Sequence, residues 1–363
     1  MKRTPKTSPK VQMNPRLMAA IGIERQENNT SVVQLSALPG TYAEIVHRKR
    51  QYVPNDYTEN KQWLTCRGCG RRGQYDLGLI VVHPELFQKT NPFAHAGHEE
   101  ESLGQVAQDI YDYIQFTGYF RCKHCNGGGE WSFGNDFIMF LLAATLRWSV
   151  TDDDDGSVVQ FGSFQSFDGH EPKSATDAEE HLLDLIVQKP DDAFLWNRLG
   201  NVYRRGGAPE LAVVAFEQSL RNDSAQVESH ASLANILYHI DELEACIRHS
   251  HLALAHARFY TKLEFTERHK MIRLLLRNLL DASMALDNTD LFLPSRELME
   301  AAAFHHGKPV AESDGILDLR SFDLYLDDID SFAGLADVYV GSLGRTRKST
   351  GSRHHKKKKK RKR

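Results

Sequence analysis

The stretch DAFLWNRLGNVYRRGGAPELAVVAFEQSL, residues 192–220, decides how this 363-residue chain is read. Its apolar residues recur at helical spacing on both sides of a Gly- and Pro-containing turn at 205–209. Trp196, Leu199, Gly200 and Tyr203 share a face of the first helix, and Ala212 and Phe216 lie on the second. Two antiparallel helices are expected, with Gly200 letting the second approach the first and Trp196 filling the gap between neighbours.

The pattern weakens outward. A shift of 34 residues meets Leu233, Ala234, Leu237, Cys246 and Ala253, while Ala178, Leu182 and Pro190 fit the second helix of a preceding copy. The W-x2-L-G-x2-Y, A and F positions resemble the tetratricopeptide repeat over about 177–259. Ser219 and Ser224 stand where Ala and Pro are usual, His230 and Ser250 replace Trp and Phe in the next copy, and a further shift meets Glu264, Glu267 and Arg268. The resemblance implies an all-α repeat domain over 177–310, whose groove holds a protein partner and whose stack is capped by helices at about 261–286 and 295–304. Cys246 falls in a small position on an apolar face and reads as a buried hydrophobe.

Residues 31–150 read as an α+β domain. Short β-rich runs at 31–35, 62–66, 77–82, 119–122 and 130–133 are separated by Gly-rich turns, with helices expected at 102–116 and 136–147. Two C-x-x-C pairs, Cys66 with Cys69 and Cys122 with Cys125, each follow a strand-like run and precede a turn (GRRG, NGGG). Two such knuckles bring four thiolates to one tetrahedral ion, and the arrangement resembles a zinc ribbon. The 52 residues between Cys69 and Cys122 exceed a minimal ribbon, so 70–121 is read as an insertion. The resemblance implies one structural Zn²⁺ in a closed site, with no open position for catalysis. A redox dithiol is the rival, but it wants a helix opening at the knuckle, where this sequence has glycine turns.

Charge is distributed unevenly. The net of -3 conceals 12 Lys/Arg and no acid in 344–363, nine Lys/Arg against three acids in 1–50, and a net of -21 between them. Residues 1–30 read as a mobile basic arm, 151–176 as a linker, 311–343 as an acidic-apolar segment and 344–363 as a disordered polybasic tail. The four aspartates at 152–155 lack the alternation of a calcium loop. Lys356, Lys357, Lys358, Lys359, Lys360, Arg361, Lys362 and Arg363 form a polyanion-binding run without aromatic residues, so RNA or DNA is the expected ligand. Membrane surface, an import signal, or the chain's own Asp323, Asp327, Asp328 and Asp330 are the alternatives. A second basic patch surrounds the knuckles, Arg67, Arg71, Arg72, Arg121 and Lys123; either Trp63 and Tyr119 stack on bases there, or the cations are a solvated rim and both aromatics lie in the core.

The start lacks the apolar core of a secretory signal, and the longest apolar run, at 137–146, is about half a bilayer span, so a cytoplasmic protein is expected, or a nuclear one where the cell has a nucleus. No phosphate loop, dinucleotide fingerprint or nucleophile elbow is present. The enzyme alternative is a metal-dependent hydrolase using His95, His98 and neighbouring carboxylates in the insertion, with His83 and His124 nearby. The metalloprotease signature is absent, and Pro92 and Gly97 favour a loop, so these histidines read as surface residues. The sequence as a whole points to a zinc-stabilised helical-repeat adaptor.

Overall fold

The computed structural model describes residues 10–23, 32–85, 110–150, 158–308 and 319–341. They fall into two compact units, 1–253 and 254–363. In the first, the elements are β1 (Lys10–Gln12), α1 (Pro15–Ala20), β2 (Val32–Gln34), α2 (Ala43–Arg48), β3 (Lys61–Cys66), β4 (Arg72–Asp76), β5 (Ile80–Val82), β6 (Ile114–Phe116), β7 (Trp131–Phe133), α3 (Asn135–Val150) and β8 (Val159–Phe161). The helices α4 (Ala175–Gln188), α5 (Ala193–Arg205), α6 (Pro209–Asn222), α7 (Val227–His239) and α8 (Leu243–Ala257) follow, the last running past residue 253. Small sheets thus precede a helical region. No helix among the described residues is long and apolar enough to cross a membrane.

Two three-stranded sheets share one core. β3 pairs antiparallel with β4 and β7, while β5 pairs antiparallel with β6 and parallel with β8. Leu64, Tyr75, Leu77, Ile80, Ile114, Phe116, Trp131 and Val159 meet Phe137 and Leu141 of α3 between them. Although the sequence of α3 is apolar nearly all round, which predicts a helix buried on every side, its described side chains include an exposed face: Met139 is 64% exposed.

The helices α4 to α7 form where apolar periodicity and caps coincide. Ser174 accepts from Asp177 N at the start of α4, Asp192 accepts from Phe194 N at α5, and Pro209 opens α6. Trp196, Leu199, Tyr203, Ala212 and Phe216 are all buried, and Gly200 lies against the Phe216 ring.

Several boundaries move. Residues 10–23 are not a loose arm: β1 joins β2, and Met13 and Leu17 are fully buried because this short apolar stretch packs α1 against α4. Residues 32–53 turn toward the helices, where Thr41 N donates to Glu217 Oε1 at 2.6 Å and Lys49 Nζ donates to Ile240 O at 2.7 Å. Of the helix expected over 102–116, Ile110–Tyr113 is a 3-10 turn and Ile114–Phe116 is a strand, where both faces are buried and apolar spacing no longer distinguishes helix from strand. Its part at 102–109 lies outside the described residues. The strand expected at 119–122 is absent, because Tyr119 N donates to Gly206 O at 2.9 Å instead of to a sheet. The described part of the expected linker, from 158, supplies β8, whose pairing with β5 gives it a place in the core. The acidic run 152–155 lies outside the described residues.

The second unit contains α9 (Phe265–Ala285), α10 (Arg296–His305) and α11 (Ala333–Val340). α11 packs on α9, and Asp337 meets the buried His269 at 3.0 Å. The acidic-apolar alternation at 316–340 hides this last helix, whose inward residues are Leu335, Ala336 and Tyr339.

Candidate metal centre

Each cysteine knuckle closes by the same pair of backbone hydrogen bonds. Cys66 N donates to Arg71 O (3.0 Å) and Gly70 N to Cys66 O (2.8 Å); Cys122 N donates to Gly127 O (2.8 Å) and Asn126 N to Cys122 O (2.9 Å). The residue four positions after the first cysteine is left-handed in both, Gly70 at φ +69° and Asn126 at φ +58°. Glycine and asparagine are the residues that tolerate this conformation, which turns the chain so that the next carbonyl, Arg71 or Gly127, meets the amide of the first cysteine.

The two knuckles face one another. Cys66 Sγ lies 3.6 Å from Cys125 Sγ, Cys69 Sγ lies 3.6 Å from Cys122 Sγ, and all four sulfurs fall within 4.8 Å of one another. These contacts are too long for disulfides, which need about 2.0 Å. Four sulfurs at about 2.3 Å from a central ion would be about 3.8 Å apart in a tetrahedron, so the cluster is close enough to hold one metal ion. Cys66 and Cys122 are buried, while Cys69 and Cys125 are exposed. Burial pushes the Cys66 thiol up; at Cys122 burial opposes the thiolate, but the backbone amides of Cys125 and His124 bring the thiol down to about 6.

The second knuckle is anchored to the helical region through a buried carboxylate. Glu179, on the inward stripe of α4, is fully buried. Its Oε1 accepts from the hydroxyls of Tyr119 (2.9 Å) and Tyr203 (2.6 Å), and its Oε2 from Arg121 Nη1 (2.6 Å) and Asn14 Nδ2 (3.0 Å). Burial pushes the Glu179 carboxyl up, and the Arg121 charge and the other donors pull against it. Arg121 Nε also donates to Asn126 O at 3.0 Å, and Thr176 Oγ1 donates to Gly128 O at 2.6 Å, so the knuckle rests directly on the start of α4. The backbone of Tyr119 reaches this site past Gly206, where a Cβ would lie 2.4 Å from Tyr119 Cβ.

This arrangement divides the expected basic patch. Arg121 is only 8% exposed and belongs to the Glu179 cluster, so it is withdrawn from any nucleic-acid surface, and Tyr119 is committed to the same cluster. Arg67, Arg71, Arg72 and Lys123 are exposed. The register pairs Trp63 with Gln74 and Thr65 with Arg72, placing all four on the outer face of the β3–β4 hairpin. Trp63 is 52% exposed, with the Arg72 guanidinium 5.2 Å from its ring centre. Arg67 is paired with Glu130 at 3.1 Å, and Lys123 Nζ donates to Gln74 O at 2.9 Å.

His95, His98 and the basic tail lie outside the described residues. His124 is exposed, and His83 has Glu85 as its neighbour at 3.9 Å. Among the described residues, the four cysteines are the one group of metal-ligating side chains gathered closely enough to share an ion. Cys246 is fully buried, and burial pushes its thiol up to about 11, which suppresses thiolate reactivity. The sequence reading passed over Glu179 and Asn14. The available signal was an acid at 179 within the apolar stripe of Ala175, Leu182, Leu183 and Ile186. Neither a protein-family model nor a curated protein matches the chain.

Proposed function

We propose that this chain is a zinc-stabilised adaptor. Cys66, Cys69, Cys122 and Cys125 hold one Zn²⁺ in a closed site, where the ion supplies a cross-link between two distant knuckles rather than a reaction centre. The helices from α4 onward act as tetratricopeptide-like repeats that hold a protein partner, and the knuckle-bearing hairpin together with the basic tail contacts nucleic acid. The observation that carries the nucleic-acid reading is the outer face of β3–β4, where the exposed Trp63 stands with the Arg72 guanidinium 5.2 Å from its ring centre. An aromatic ring with flanking cations suits a single strand, whose unpaired bases stack on the ring while phosphates meet the arginines.

The test is binding of a labelled single-stranded oligonucleotide to full-length protein across a salt series. Trp63→Ala is expected to weaken binding by about 1–3 kcal/mol, and Arg72→Ala is expected to flatten the salt dependence as well. Binding indifferent to both changes would assign nucleic-acid contact to the tail alone and remove the hairpin from the proposal. Metal analysis is expected to return one zinc per chain.

A further inference from the structure

A groove of about 510 Å³ opens beside α5, walled by α4, the end of β6 and the segment 164–172. Its size is that of a ligand site. The wall is built rather than incidental, because the side chain of the buried Gln115 staples the segment in place. Gln115 Oε1 accepts from Phe164 N (2.6 Å), and its Nε2 donates to Phe164 O (2.9 Å) and Pro172 O (2.9 Å). Three bonds from one buried amide hold Phe164 against the groove.

The chemistry of the lining is one-sided. Among the described residues three arginines, Arg198, Arg204 and Arg205, line it and no acid does. Two of them have carboxylate partners outside the groove: Arg204 pairs with Asp56 at 2.8 Å and Arg198 with Glu228. Arg198 nevertheless keeps a buried Nε with no acceptor. Arg205 is exposed and stacks over Phe164 at 5.7 Å, and among the described residues no carboxylate pairs with it. Phe167 is 50% exposed at the rim, edge-on to Phe194 at 5.1 Å, and Ala178, Leu182 and Val202 make the floor apolar.

The geometry points to a docking site for a linear peptide that carries an acidic side chain next to an apolar one. The carboxylate would accept from the exposed Arg205, the apolar neighbour would lie between Phe164 and Phe167, and the Asn201 amide on the same wall would meet the peptide backbone. A basic or neutral peptide would leave these donors unpaired in a partly desolvated groove. This inference rests on the reading of the helices as a protein-binding region and names the chemistry of what they hold.

The experiment is selection of a random linear heptapeptide library on full-length protein, followed by affinity measurement of the enriched peptides on wild type and Arg205→Glu. Arg205 is exposed near the end of α5, and circular dichroism checks that the variant folds. The expected result is enrichment of Asp or Glu beside an apolar residue, at least a tenfold loss of affinity in Arg205→Glu, and recovery when the acidic residue of the peptide is changed to Lys. The basic tail attracts acidic peptides whatever their sequence, so dependence on Arg205 is the deciding readout. Absence of enrichment, enriched peptides without an acid, or affinity unchanged by Arg205→Glu each overturns the proposal. Peptides that bind independently of Arg205 would still leave the helices a protein-binding region.

Discussion

The sheets around the four cysteines and the helices from α4 to α7 reach order by different routes. The sheet region has strands of three to six residues, a length at which isolated hairpins are marginal in water. It gains cohesion from one shared core, and it gathers four cysteines, close enough to hold one metal ion, from chain segments 52 residues apart. The helical region gains cohesion from apolar packing, with Leu199, Tyr203, Ala212 and Phe216 fully buried along two adjoining helices. A region stabilised by a few strong links fails when one is cut, whereas a region stabilised by distributed area degrades gradually.

Cutting the metal link is the strongest way to expose that difference. Cys122→Ser is expected to release the ion, whose apparent contribution in small structural zinc sites is about 10–16 kcal/mol at neutral pH. Hydrogen exchange should then show protection lost at 61–76 and 131–133 but retained in α6 and α7. Loss in both regions at once would show that they fold as one unit. Next in size is Glu179→Ala, which strands the buried Arg121 and is expected to cost about 3–5 kcal/mol in urea denaturation, with zinc still bound. That change should loosen both regions, because four donors from three parts of the chain lose one acceptor.

Acid should separate the regions from the other side. His230 Nδ1 and His249 Nδ1 lie 2.9 Å apart, and burial holds the two rings at about 4 and about 3. His230 Nε2 faces Ser224 O, so it carries the proton that donates there. His249 therefore donates to His230 through Nδ1 and accepts from the Tyr42 hydroxyl at Nε2 (3.1 Å). Both rings are neutral when folded and protonate near 6.5 once unfolded. Their stability is fully present above pH 6.5 and is lost progressively toward pH 4, by about 2 kcal/mol per histidine at pH 5. Urea midpoints of α7 amides at pH 7.5 and pH 5 check this, and equal midpoints would refute it. The smallest expected effect is Gly200→Ala, whose methyl would sit 2.4 Å from the Phe216 ring. After the gain in helix propensity the net loss should be about 1–2 kcal/mol by thermal denaturation, and a stabilised variant would show that α5 and α6 have room to separate.

The same contrast explains what was legible in the sequence. Helices are local, so the apolar period and the Gly-Gly turn at 206–207 placed α5 and α6 within a residue or two, and the C-x-x-C spacing picked out the four cysteines that gather. What stayed hidden was non-local. Ile114–Phe116 is a strand because β5 lies beside it, and Tyr119 leaves the sheet because Gly206 admits its backbone. Arg121 resembles its exposed neighbours in sequence but is claimed by a carboxylate 58 residues away. Met13 and Leu17 sit in a stretch whose surrounding polarity suggested a solvated arm, yet two buried side chains suffice to anchor it.

That anchored stretch imposes an order of events during synthesis. Asn14 bonds Glu179, 165 residues later in the chain, and Asn126 Nδ2 bonds Met13 O at 2.7 Å. At about 5–20 residues per second, Asn14 is made about 8 to 33 s before Glu179. Met13, Leu17 and Met18 therefore wait without the surface that covers them in the finished molecule, and a ribosome-associated chaperone has a defined interval in which to hold them.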